Sequence, residues 1–84
     1  MEQCYISFRS VTFAQRAEAI LKRQGYSCYL QRAPKWMGQR GCSYALGLRR
    51  GVVAECVAAL LREQAAFSKV YCQYADGRRE ELIL

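Results

Sequence analysis

The sequence predicts an α+β fold in which strands and helices follow one another in the order βαββαβ. Two observations indicate this order: segments that alternate between apolar and polar residues, as strands do, and segments whose apolar residues recur at helical spacing. A third observation, the length of 84 residues, limits the chain to one small domain, residues 1–84. One proline, six glycines and 52% hydrophobic residues exclude a disordered or fibrous chain.

The first half of the chain predicts a strand, a helix and a second strand. Residues 4–8 alternate as a half-buried strand does. Thr12 and Gln15 fit a capping box at the start of a helix, and Gly25 fits the position just after its end. Its apolar stripe is Phe13, Ala17, Ile20 and Leu21. Residues 26–31 form the next candidate strand.

A loop of about nine residues, 33–41, is expected after the second strand, because Pro34 ends regular structure. Residues 42–48 then alternate as a third strand, and the small residues on its second face predict close packing against another layer. The pattern therefore places an unusually long basic loop immediately before the third strand.

A second helix is expected after Gly51 and ends within residues 64–67. Its predicted stripe is Val53, Val57, Leu60 and Leu61. Residues 69–74 form the fourth strand, and Asp76-Gly77 indicates a type I′ hairpin turn. Residues 78–84 are either a short fifth edge strand or a frayed terminus, and we favour the strand. The result is a ferredoxin-like antiparallel sheet with two helices on one face.

Positive charge is concentrated in the middle of the chain. The net charge is +6, and no acidic residue occurs between Glu18 and Glu55, an interval that holds seven Lys or Arg residues. Such a field attracts anions and acidic partners. The alternative is a solvated surface that only aids solubility.

The chain has five cysteines and no histidine, which excludes His-dependent catalysis. No two cysteines have the CxxC spacing typical of zinc or iron–sulfur sites, so we expect no metal and no cofactor. The sequence shows no secretory signal pattern and no apolar run long enough to span a membrane. We therefore expect a cytoplasmic protein with reduced thiols and no membrane partner.

Cys42 is the candidate reactive residue. Gly41 and Ser43 leave its sulfur accessible, and the nearby cations favour the nucleophilic thiolate; these cations are Lys35, Arg40 and Arg49. The alternative is a small apolar residue on the inner face of a strand. The remaining cysteines fit core positions, although a pairing of Cys28 with Cys42 stays open.

The aromatic residues allow a different reading. Trp36 and Met37 form either a binding lip or a cover for one end of the core. Tyr5, Tyr29 and Tyr71 fall on the sheet face away from the helices, where they could stack RNA bases or form a homodimer surface. Nucleic acid is the less favoured partner because the sequence motif typical of RNA-binding sheets is missing.

Several segments, in order, resemble a family of small selenium/sulfur carrier-like proteins. They are Tyr5-Ile6-Ser7-Phe8-Arg9-Ser10, Ala17-Glu18 with Leu21, Arg32-Ala33-Pro34, and Gly41-Cys42-Ser43-Tyr44-Ala45-Leu46. The resemblance covers residues 4–74. Two positions depart from the family pattern: Lys35 replaces an arginine, and Ser43 replaces the glycine after the cysteine.

The resemblance implies a carrier rather than a self-sufficient enzyme. Cys42 would hold a persulfide or perselenide received from a protein donor, for example a cysteine desulfurase, and pass it to a protein acceptor. Lys35, Arg40 and Arg49 would stabilise the thiolate and the charged chalcogen. The alternative is a non-catalytic binding or assembly module that uses the basic loop or the tyrosine face.

Overall fold

The chain forms a five-stranded antiparallel sheet and two helices. The computed structural model describes residues 2–37 and 44–82. The strands are β1 (Gln3–Phe8), β2 (Tyr29–Arg32), β3 (Tyr44–Arg49), β4 (Val70–Gln73) and β5 (Arg79–Leu82). The helices are α1 (Val11–Arg23) and α2 (Val53–Arg62), and short 3-10 turns span Lys35–Met37 and Arg50–Val52.

The strand order is β2-β3-β1-β4-β5, and every neighbouring pair is antiparallel. The first four strands with the two helices have the split βαβ layout, so the predicted α+β, ferredoxin-like fold is confirmed. The fifth strand is also confirmed, and it extends that layout by pairing with β4.

The hydrophobic core lies between the two helices and one face of the sheet. Alternation along β1 places Cys4, Ile6 and Phe8 in this core at 0% exposure. Helix α1 contributes Ala14 and Leu21, and its small alanines allow it to lie close to the strands; α2 contributes Val53, Cys56, Val57, Ala59 and Leu60.

Each predicted helix stripe is wrong at one position. Phe13 is 45% exposed and Leu61 is 61% exposed. Ala14 and Cys56 take their places on the buried faces. In α1 the buried residue is the small neighbour of Phe13, and in α2 it is Cys56, five residues before Leu61.

The predicted capping box of α1 is also wrong. Ser10 caps the helix: its backbone is extended, and its Oγ accepts a hydrogen bond from the Phe13 N–H at 3.3 Å. The predicted end is confirmed, because Gly25 follows the helix with φ +91°.

The start of β2 and the end of α2 differ from the prediction, because the backbone just after each helix has its own hydrogen bonds or angles. Tyr26 N–H still bonds the Leu21 carbonyl, which delays β2 until Tyr29. Helix α2 ends at Arg62, and Gln64 then adopts φ 56°, which stops helical continuation. No helix within the two described ranges is long and apolar enough to cross a membrane.

The β4–β5 hairpin uses a different turn from the predicted type I′. That turn needs positive φ at both central residues, whereas Asp76 is not left-handed and Gly77 is, with φ +89°. The Gly77 N–H bonds the Tyr74 carbonyl at 2.9 Å, and the Tyr74 N–H bonds the Arg78 carbonyl at 2.7 Å. The connection is therefore a three-residue loop closed by a glycine bulge.

Candidate functional site

Cys4 and Cys72 are joined by a disulfide. They lie directly opposite each other on β1 and β4, with Cα atoms 4.0 Å apart, and both are fully buried. This corrects the expectation that all thiols are reduced. The two cysteines are 68 residues apart in the sequence, and only the pairing of β1 with β4 brings them into contact, so the sequence did not predict the disulfide. Reduced thiols were one reason to expect a cytoplasmic location, and the disulfide removes that reason. The location stays a prediction.

Cys28 and Cys56 are free but buried. Burial raises the pKa of the Cys28 thiol, and Glu18 adds to this while Lys22 opposes it. Burial, with Cys28 and Glu55 as further causes, raises the pKa of Cys56 to about 11. Both sulfurs are protonated thiols at neutral pH and are therefore poor nucleophiles.

The predicted site residues fall in different parts of the chain. Cys42 and Arg40 lie outside the described residues. The disulfide pairing of Cys28 with Cys42, left open by the sequence, is not formed, because Cys28 is a free thiol. Lys35 is exposed on the 3-10 turn that follows β2. Arg49 is exposed at the far end of β3, about 17 Å of strand away from Tyr44. The structure therefore does not bring Lys35 and Arg49 together.

Trp36 anchors the chain just before the segment 38–43. Its ring meets those of Tyr5 and Tyr71 edge-on, at centroid distances of 5.8 and 6.0 Å, and the Arg79 guanidinium lies 4.8 Å from the Trp36 ring. Met37 beside it is 5% exposed. These residues act as a cover, but on the sheet face away from the helices rather than at one end of the helix-side core.

The tyrosine face is consequently only partly open. Tyr5 and Tyr71 lie under Trp36, and burial, followed by the nearby Tyr29, raises the pKa of the Tyr5 hydroxyl. Tyr29 remains 47% exposed and lies across Gly47, where a Cβ would come within 2.4 Å of its Cζ. The second face of β3 is closely packed as predicted, since Ala45 is also fully buried, but Gly47 packs against a residue of the neighbouring strand in the same sheet rather than against another layer.

Arg32 is a cation that sequence reasoning did not single out for the site. It pairs with Tyr44 across β2 and β3, and its guanidinium lies 5.2 Å from the Tyr44 ring centroid. These two residues are the last of β2 and the first of β3, so in the sequence they stand on either side of the segment that contains Cys42. Their position at the two strand ends was the signal available in the sequence.

Comparison with known proteins identifies the family. Residues 3–72 match the model of the family described as "Putative Se/S carrier protein-like". No curated protein and no solved structure matches the chain significantly. The matched segment contains β1 to β3, both helices, all but the last residue of β4, and Cys42. Because the match covers more than half of the sequence, the chain belongs to the Se/S carrier-like protein family.

Proposed function

We propose that the protein is a sulfur or selenium carrier that holds a persulfide or perselenide on Cys42. One observation carries the assignment to that residue. Of the five cysteines, two form a buried disulfide and two are buried thiols that resist ionisation. Cys42 is the remaining cysteine, and it lies in the segment matched by the family model.

The transfer needs no external oxidant. The Cys42 thiolate attacks the terminal sulfur of a persulfide on the donor cysteine. A bond forms between the Cys42 sulfur and that terminal sulfur, while the sulfur–sulfur bond of the donor breaks and the donor leaves as a thiolate. An acceptor thiolate then attacks the same terminal sulfur, and Cys42 leaves as a thiolate. A cysteine desulfurase is a donor of the required chemistry.

Cations near the loop support this chemistry. In the proposal, Arg40 and Lys35 stabilise the thiolate and the charged terminal chalcogen, and Arg32 adds charge at the end of β2, opposite Tyr44. Arg49 has no part in it, because about 17 Å of β3 separates it from the strand end that follows Cys42.

The alternative, an RNA-binding or assembly module that uses the tyrosine face, receives less support. Base stacking needs open ring faces, whereas Trp36 lies over Tyr5 and Tyr71. Tyr29 is the one tyrosine of that face with a largely exposed side chain. A single open ring is a small platform for a nucleic acid or a second subunit.

The test is intact mass after incubation with a cysteine desulfurase and cysteine. We expect an adduct of about 32 Da per added sulfur. The adduct disappears in Cys42→Ser and persists in the matched variant Cys56→Ser, which also removes one thiol. An adduct that survives Cys42→Ser, or no adduct on the unaltered protein, contradicts the proposal.

A further inference from the structure

A cleft of about 320 Å³ opens between the start of α1 and the segment that joins α2 to β4. It is lined by Arg9, Phe13, Ala66, Phe67 and Ser68. Phe13 is 45% exposed although it is a large apolar side chain, and Phe67 is half-buried beside the core. The walls are thus apolar, while Arg9 supplies a charge. A volume near 300 Å³ lies at the lower end of the range for binding sites and suits one or two side chains.

The cleft lies at the end of the sheet where β3 begins at Tyr44, two residues after Cys42 in the sequence. Arg9 follows Phe8, which is paired with Tyr44 at the start of β3. Ser68, on the opposite wall, donates its N–H to the Ser7 carbonyl at 2.8 Å. A partner seated in this cleft therefore stands beside the strand end that follows Cys42.

The charge at this end is positive and largely unneutralised. Arg9, Arg32 and Lys35 form no ion pair with any residue in ranges 2–37 and 44–82. Glu81, at this end of β5, is already paired with Lys69, whose Nζ lies 3.6 Å from its carboxylate. Cations without carboxylate partners favour an acidic occupant.

We propose that this cleft docks the protein that exchanges sulfur or selenium with Cys42. The occupant is a short segment of that partner in which an aromatic or large aliphatic side chain stands next to carboxylates. The apolar side chain fills the space between Phe13 and Phe67, and a carboxylate pairs with Arg9. This inference rests on the proposed carrier function, and it adds the chemistry by which the partner is recognised.

Binding is tested directly by NMR on the ¹⁵N-labelled protein. The probe is the peptide acetyl-Phe-Glu-Glu-amide, and acetyl-Phe-Lys-Lys-amide and acetyl-Gly-Glu-Glu-amide are the matched peptides. We expect the first to shift the amide signals of residues 9–13 and 65–69, and the other two to shift them far less. Arg9→Glu weakens binding about fivefold or more, whereas Arg78→Glu, a charge reversal at the opposite end of the sheet, does not.

Three results of the titration overturn the inference. The first is no shift at the cleft, and the second is an equal shift with the lysine peptide. The third is a concentration-dependent shift at the cleft without peptide, which would identify a second copy of this chain as the occupant. Phe13→Ala is a second variant for the same test: it should weaken peptide binding and, because Phe13 is largely exposed, leave the fold intact.

Transfer kinetics separate this inference from the proposed function. We expect Arg9→Glu to slow loading of Cys42 by a cysteine desulfurase about tenfold and to leave loading by inorganic disulfide (Na₂S₂) within twofold. Equal loading by the desulfurase in both proteins overturns the docking inference alone. If neither donor loads Cys42, the carrier function fails, and the peptide titration still decides what the cleft binds.

Discussion

Reduction of the Cys4–Cys72 disulfide should remove much of the stability of the protein. The link joins β1 to β4 across 68 residues, so it restricts nearly the whole unfolded chain. The chain-entropy relation gives a loss of about 15 cal/mol/K for a loop of this length, or about 4 kcal/mol at 25 °C. A domain of 84 residues has a free energy of unfolding of about 4–13 kcal/mol in total.

Urea unfolding followed by circular dichroism measures this effect. We would use a Cys42→Ser background, so that an added phosphine reductant acts on the disulfide without a further reactive thiol. With a denaturant slope of about 1–1.5 kcal/mol/M, the urea midpoint should fall by about 3–4 M on reduction. The Cys4→Ala/Cys72→Ala variant should lose a similar free energy of unfolding, plus the cost of removing two buried sulfurs from the core. Cys56→Ala measures the cost of removing one buried sulfur that is not in a disulfide.

A midpoint that moves by less than about 0.5 M on complete reduction would refute this reasoning. It would mean that the unfolded chain already keeps the two strands close together, so that the link restricts little. Intact mass before and after alkylation must show that the disulfide was present at the start and was fully reduced.

Three further changes test other parts of the structure. Trp36→Ala should destabilise the protein by about 1–3 kcal/mol and make proteolysis after Lys35 faster, which limited trypsin digestion would measure. Ser10→Ala should cost about 1 kcal/mol in thermal unfolding because it removes the cap of α1, whereas Thr12→Ala should be nearly neutral; equal effects would contradict the assignment of the cap. Because the pKa of Cys56 is raised from 9.0 to about 11, the folded protein retains a proton that the unfolded chain loses. Its free energy of unfolding should therefore fall as pH rises from about 9 to 11, and this fall should be smaller in Cys56→Ala.

The order of elements could be predicted from the sequence because it depends on local alternation and spacing. Apolar residues two apart in β1 face one core, and this needs no knowledge of the neighbouring strands. The same kind of local evidence predicted the helix end at Gly25 and the close packing behind β3. Residue size was a poor guide to the buried face of α1, because the small Ala14 is buried and the large Phe13 is exposed.

Contacts between distant segments could not be predicted in this way. The pairing of Cys4 with Cys72 depends on β4 lying beside β1, and many strand orders are compatible with the same alternation. Likewise, the sheet face that Trp36 covers could not be predicted from the sequence. Neither could the shared cleft of Arg9 and Phe67, which are far apart along the chain. The family resemblance identified Cys42 without any of these contacts, because each of its motifs is a short run of neighbouring residues.

The cover that Trp36 forms gives the domain two hydrophobic clusters of different depth. The larger cluster holds the helices and the disulfide, and the smaller one holds Trp36 against Tyr5 and Tyr71. Trp36, Tyr5 and Tyr71 are not among the side chains that form the larger cluster or pack against it. The backbone around Trp36 can therefore open in a sub-global fluctuation at a small fraction of the global unfolding cost, and its amide hydrogens should exchange well before those of β1.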